Sequence, residues 1–239
     1  MNFDIAEAWH RLAQPVIVDL NAWQWVIITA VVLAMVIPAP AWRITGLYST
    51  LVHELGHIVS ALFTGRFVTG LRLGWDHSGE VVSRGRGKLS VIVSGIFGYP
   101  APLWVSALML WAISIGYAGQ ALGIYAILFL LALIFVRNWP AFVVCTVSAL
   151  IALAVVFFAP AAAYLYLALL IAGFLLIAGI RDYVKLISVH TWRRRDIGQS
   201  DAYLIARSTH TFAGLWLLVI ILLGAGALWW VANSLLTLF

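Results

Sequence analysis

The chain has little charge to spend on solvent. Of its 239 residues, 14 are Lys or Arg, nine are Asp or Glu, and 64% are hydrophobic. A soluble domain of this length cannot hide so much apolar surface, so composition points to an all-α polytopic membrane protein. No room is left for a sizeable soluble domain, and one membrane-embedded domain over 1–239 is expected. The single cysteine, Cys145, excludes an internal disulfide and lies in an apolar run, where packing is its natural role. Internal repeats and low-complexity linkers are absent. Met1 to Leu20 carries Asp4, Glu7, Arg11 and Asp19 and lacks the basic start and cleavage site of a signal peptide, so the first span is expected to insert uncleaved. The net charge of +5 does not imply nucleic acid. In a membrane protein, clustered Lys and Arg mark the cytoplasmic side.

What the chain does have is long apolar runs, about seven of them at helical length. They cover about Ala22 to Pro40, Ile44 to Phe63, Leu89 to Ile115, Leu122 to Val136, Ala141 to Phe158, Ala162 to Ile180 and Phe212 to Leu236. Between the second and third, Phe67, Thr69, Leu71, Leu73 and Trp75 alternate with Val68, Gly70, Arg72 and Gly74. Asp76-His77-Ser78-Gly79 follows, then Glu80-Val81-Val82-Ser83. Period two around a turn predicts a short β-hairpin at the membrane interface, packed on helices or facing water.

Arg66, Arg72, Arg84, Arg86 and Lys88 sit in that hairpin region. Arg181, Lys185, Arg193, Arg194, Arg195 and Arg207 precede the last run, and Arg137 ends the fourth. Across seven spans, a cytoplasmic amino terminus puts all of these in the cytoplasm and the carboxy terminus outside, with Arg43 as the exception. The Arg193-Arg194-Arg195 run suits a stop signal and contact with the anionic lipid bilayer.

Residues His53-Glu54-Leu55-Gly56-His57 in the second run spell H-E-x-x-H. With six His and three Glu in the chain, chance would place this pattern in only about 0.2% of such sequences. Two histidines four apart share one helix face and can bind one Zn²⁺, and the Glu between them can take a proton from the attacking water. A catalytic zinc takes three protein ligands and keeps a fourth position open. The acidic residues available for the third are few. His57 lies roughly 10 Å from the inner end of its helix at 1.5 Å per residue, so a partner must come from the cytoplasmic side. Asp201 suits this. Ser200 can cap a helix that begins at Asp201 and continues through Thr211 into the last run. Glu80 is the main rival, with His77 and Asp76 beside it in the hairpin turn. His210 is read as interfacial or pore-facing, and His10 and His190 as solvent or headgroup residues.

An H-E-x-x-H in an early transmembrane helix, followed by a cytoplasm-side hairpin, resembles the site-2 protease class of intramembrane zinc metallopeptidases, in its compact, divergent bacterial branch. The third ligand of that family is an Asp, usually in an L-D-G or N-x-x-P-x-x-x-x-D-G setting. This chain has no Asp-Gly pair; Arg137-Asn138-Trp139-Pro140 and Ser200-Asp201-Ala202 stand apart instead. The resemblance implies a multi-pass cell-membrane metalloendopeptidase that cuts a transmembrane helix of another membrane protein near the cytoplasmic face. His53, His57 and Asp201 would hold zinc, and Glu54 would act as base and then acid. Asn138 would either donate to the substrate backbone or cap a helix end. The Ser94 to Pro102 stretch, where the family has a Gly-Pro element, reads most simply as helix packing. Two alternatives stay open: an inactive scaffold or regulator that keeps the metallopeptidase fold, and a transporter, which the lack of repeats disfavours.

Overall fold

Prolines mark where the apolar runs break. The computed structural model describes residues 12–16, 20–160 and 162–238. Its order is α1 (Ala22–Val36), α2 (Ala39–Phe63), β1 (Phe67–Leu73), β2 (Gly79–Arg84), α3 (Lys88–Ile96), α4 (Pro100–Ser114), α5 (Ala118–Ala132), α6 (Trp139–Phe158), α7 (Ala162–Thr191), a 3₁₀ turn (Arg194–Gln199), α8 (Asp201–Thr209) and α9 (Ala213–Leu236). The mostly helical membrane fold with one small antiparallel sheet matches the sequence reading. The count of seven separate spans does not carry over.

Helices α6, α7 and α9 are each long and apolar enough to cross a membrane. The expected first and second helices form one unit bent by 93°, and the expected third is the α3–α4 pair, bent by 60°. The α5 helix is apolar but shorter. The physical cause lies in the sequence. Pro38 sits at the α2 N-cap, and Pro100 opens α4 without an N–H to continue the α3 ladder. Apolar residues on both sides of such a break look the same whether the chain bends or loops out. Because α2 turns away from α1 so sharply, rise along α2 does not measure depth along α1.

Two further expectations are corrected. The α7 helix does not stop at Ile180 but runs to Thr191, since nothing between these residues breaks a helix. Arg181, Asp182 and Lys185 are therefore helical, not part of a loop. The helix expected from Asp201 into the last run is two helices. His210 adopts the left-handed conformation at φ 58° and ends α8.

Hydrogen bonds set the direction of α1. Its Gln24 donates from Nε2 to the Tyr166 hydroxyl at 2.7 Å, near the start of α7, and its last carbonyl, on Val36, accepts from Arg181 near the other end. Val16 donates to the Gly116 carbonyl in the turn before α5, whereas the hairpin joins the chain just after α5. The start of α1 and the hairpin are thus at opposite ends of the bundle. Small residues let α4 and α7 meet closely: Ser106 donates to the Ala172 carbonyl at 2.8 Å, and Gly179 leaves room for Leu103.

The hairpin forms where period two predicts it, with a register shift between Val68 and Gly70. At its tip the Asp76 carboxylate accepts from the Ser78 hydroxyl and amide at 2.6 and 3.2 Å, bonds that hold its carboxyl below the usual range. The outer edge of β1 is not free. Leu71 donates to the Phe135 carbonyl at 2.7 Å and accepts from the Arg137 amide at 2.9 Å. The Asn138 side chain copies a strand, giving Nδ2 to the Leu73 carbonyl at 2.7 Å and accepting the Leu73 amide at 3.2 Å. Strand β1 is thereby internal, with Leu71 and Leu73 almost fully buried. Of the two strands, β2 has the open edge.

Candidate metal centre

On α2, residues four apart stack on one face, so the His53 and His57 rings meet edge to face with centroids 4.9 Å apart. Nδ1 of His57 lies 2.7 Å from the Ser94 carbonyl. A carbonyl only accepts, so Nδ1 carries the proton and the neutral ring has its lone pair at Nε2. That Nε2 is 3.1 Å from Nε2 of His53. Asp201, the first residue of α8, brings Oδ2 to 3.3 Å from His53 Nε2 and 3.4 Å from His57 Nε2.

These separations are within ion-pair range, yet Asp201 Oδ2 is buried and meets no hydrogen-bond geometry with either ring. The three atoms face one another as acceptors more than they pair, and a shared cation resolves that. Ligand atoms about 2.0–2.1 Å from a tetrahedral zinc stand about 3.3–3.4 Å apart, close to what is seen. His53, His57 and Asp201 could therefore hold a metal ion. Their side chains are 16, 14 and 15% exposed, so the cluster is enclosed but reachable.

The surroundings leave space where it is needed. The cluster opens into a cavity of about 1070 Å³, also lined by Glu54, Glu80 and Asp182. Gly98, between α3 and α4, lies against both imidazoles, and a side chain there would overlap Nε2 of each. Gly79, the first residue of β2, lies in the same way against the Glu54 carboxylate, which is 5% exposed. Tyr99 packs its ring edge to face on His53, with centroids 4.7 Å apart.

A family model described as Peptidase M50B-like matches residues 26–231, a span that includes the motif, the hairpin and Asp201. The chain belongs to the Peptidase M50B-like family. No curated protein and no solved structure matches it. Membership makes the M50B-like chain a membrane metallopeptidase by descent, in line with the site-2 protease resemblance of its sequence.

The structure puts the other candidates elsewhere. In the M50B-like chain, Glu80 sits on β2 across from Arg72 and lines the cavity outside the three-residue cluster. Asp76 is tied to Ser78. His77 is directed to the α1–α2 elbow, with Nε2 3.1 Å from the Arg43 carbonyl. Ser200 stands at the α8 N-cap position but makes no side-chain cap bond; its hydroxyl pairs with His190 at 2.7 Å. His190 is thus partly buried, not a solvent residue, whereas His210 is exposed. His10 lies outside the described residues. Asn138 is the N-cap residue of α6 by position, but both ends of its amide are spent on Leu73.

Sequence reasoning missed four contributors in the M50B-like chain: the Ser94 carbonyl, Gly98, Gly79 and the carboxylate of Asp182. The Ser94 to Pro102 stretch was assigned to packing, yet it places a hydrogen-bond acceptor and a gap at the two histidines. Asp182 accepts from the buried Ser49 hydroxyl at 2.8 Å, on the turn of α2 before His53. Its helical phase with the preceding apolar run was the available signal.

Proposed function

We propose that the chain is a zinc-dependent intramembrane endopeptidase that cuts transmembrane segments of other membrane proteins near the cytoplasmic face. The convergence of His53 Nε2, His57 Nε2 and the unpaired Asp201 Oδ2 carries this reading. Zinc held by these residues would supply a Lewis acid that polarises the scissile carbonyl and acidifies the attacking water. Glu54 accepts the proton of that water and passes it to the departing amide nitrogen. Its enclosure under Gly79 keeps bulk solvent off the carboxylate.

The open edge of β2 suits an unwound substrate. Leu71 and Leu73 direct their backbone groups away from β2, so their partners across the ladder, Val81 and Gly79, direct theirs to the other edge. Gly79 and Val81 line the same cavity as Glu54. A transmembrane helix must give up its own hydrogen bonds to be cut, and a strand on this edge replaces them. Asn138 serves the substrate through the hairpin, by fixing β1.

The basic hairpin and the basic region around Arg193 lie at the end where α2 meets α8, which the positive-inside rule assigns to the cytoplasm. The His77 contact brings Arg43 to this same end, so it is no longer an exception. The carboxy end of α9 is then outside, as the sequence suggests. If the bent α1–α2 unit is one broken span, the start of α1 would lie outside as well.

Metal analysis tests the centre. Purified protein should hold about one zinc per chain, and His53→Ala, His57→Ala or Asp201→Ala should each remove it, whereas Glu80→Ala should not. Equal zinc in wild type and all four variants would contradict the assignment.

A further inference from the structure

Asp182 is a half-buried carboxylate on the cavity wall that the peptidase chemistry above leaves without a task. It lies in the apolar helix α7, where a carboxylate is costly unless it is paired or functional. Its neighbour Arg181 does not pair with it. That guanidinium stacks over the Trp42 ring at 4.2 Å and donates to the Val36 carbonyl. No ion pair to Asp182 occurs among the described residues, and its one hydrogen bond comes from Ser49.

Ser49 and His53 are one turn apart on the same face of α2, where Cβ atoms stand about 5–6 Å apart. A carboxylate seated on Ser49 is therefore on the same side of α2 as the His53 ring, and both line the cavity without an ion pair between them. When a metal takes the Nε2 lone pair of His53, the neutral ring carries its proton on Nδ1, and no acceptor for Nδ1 is found among the described residues. His57 has met the same need with the Ser94 carbonyl. A metal-binding histidine almost always gives its other ring N–H to a carboxylate or carbonyl.

We propose that Asp182 is the positioning residue of His53, accepting its Nδ1–H when the metal is held, with Ser49 fixing the carboxylate from the other side. This rests on the metal centre described above. The two histidines then have unlike supports, a rigid backbone carbonyl for His57 and a charged, helix-borne carboxylate for His53.

The full chain in detergent, titrated with zinc against a chromophoric chelator, provides the test. Asp182→Asn keeps the shape and loses the anionic acceptor, so zinc affinity should fall about 10–100-fold, the range typical for such outer partners. Ser49→Ala, which frees the carboxylate without removing it, should weaken binding less. In zinc-loaded wild type, ¹⁵N-filtered spectra should show a hydrogen-bonded Nδ1–H on His53, which also tests the proposal if Asp182→Asn does not fold. Folded Asp182→Asn binding zinc as tightly as wild type overturns the proposal, as does a His53 Nδ1–H with no hydrogen bond in the loaded protein. Wild type that binds no zinc fails the metal centre itself and the proposal with it, a result distinct from either.

Discussion

Gly98 lies against His57 so closely that even a methyl group on it would overlap the ring nitrogen Nε2. The same methyl would overlap Nε2 of His53. The α3–α4 break thus sets the floor of the metal centre. Gly98 has no left-handed backbone, so alanine is conformationally permitted there and its effect is purely steric. Gly98→Ala should lower the zinc-to-protein ratio well below wild type while thermal unfolding stays within a few degrees. Full zinc occupancy in this variant would show that the rings do not need the gap.

Gly79 makes the matching test at Glu54. Its backbone is also not left-handed, and a β-carbon there would overlap the carboxylate. Gly79→Ala should keep zinc and lose peptidase activity, because Glu54 must move from its place. Activity equal to wild type would mean that the carboxylate has another working position.

Asn138 separates a direct from an indirect role. Asn138→Ala removes both side-chain bonds to Leu73 and leaves a buried backbone pair without partners, at a cost of roughly 1–3 kcal/mol. Hydrogen exchange at the Leu73 amide should speed up about 10–100-fold, with zinc content unchanged. Unchanged exchange with impaired substrate binding would favour direct contact between Asn138 and substrate.

The bent α1–α2 unit changes the expected topology, and labelling can read it. Cys145 is buried and serves as a silent background. A cysteine replacing exposed Gly198 should react with an impermeant thiol reagent only from the cytoplasmic side, and one replacing exposed Gln14 only from outside. Labelling of both from one side would contradict the orientation.

Much of the centre was legible because it is local. His53, Glu54 and His57 share one helix turn, so spacing alone brings them together. Asp201 could be chosen by side of the membrane and by its place at a helix start, although the depth argument took α2 as a span of its own. What could not be read depends on contacts between distant segments. Whether Ile37-Pro38 ends a span or bends one depends on distant partners such as Arg181, some 145 residues away, which bonds to Val36. The amide of Asn138 looks like a cap or a substrate donor until the edge of β1 is placed beside it. The sixth run was ended at Ile180, just before Asp182, because charge after an apolar run usually marks its end, and here the helix carries the charge back to α2.

The central claim is that Glu54 works on a held metal to cut a membrane segment. The most direct measurement co-reconstitutes the zinc-loaded chain with a set of tagged single-span membrane proteins and identifies products by mass spectrometry, beside Glu54→Gln. The account predicts that wild type cuts within a transmembrane segment near its cytoplasmic end. It predicts that Glu54→Gln keeps about one zinc per chain and yields no product. Equal product from Glu54→Gln would contradict the assigned base, and no product from zinc-loaded wild type across the set would point to a scaffold that keeps the fold without the reaction.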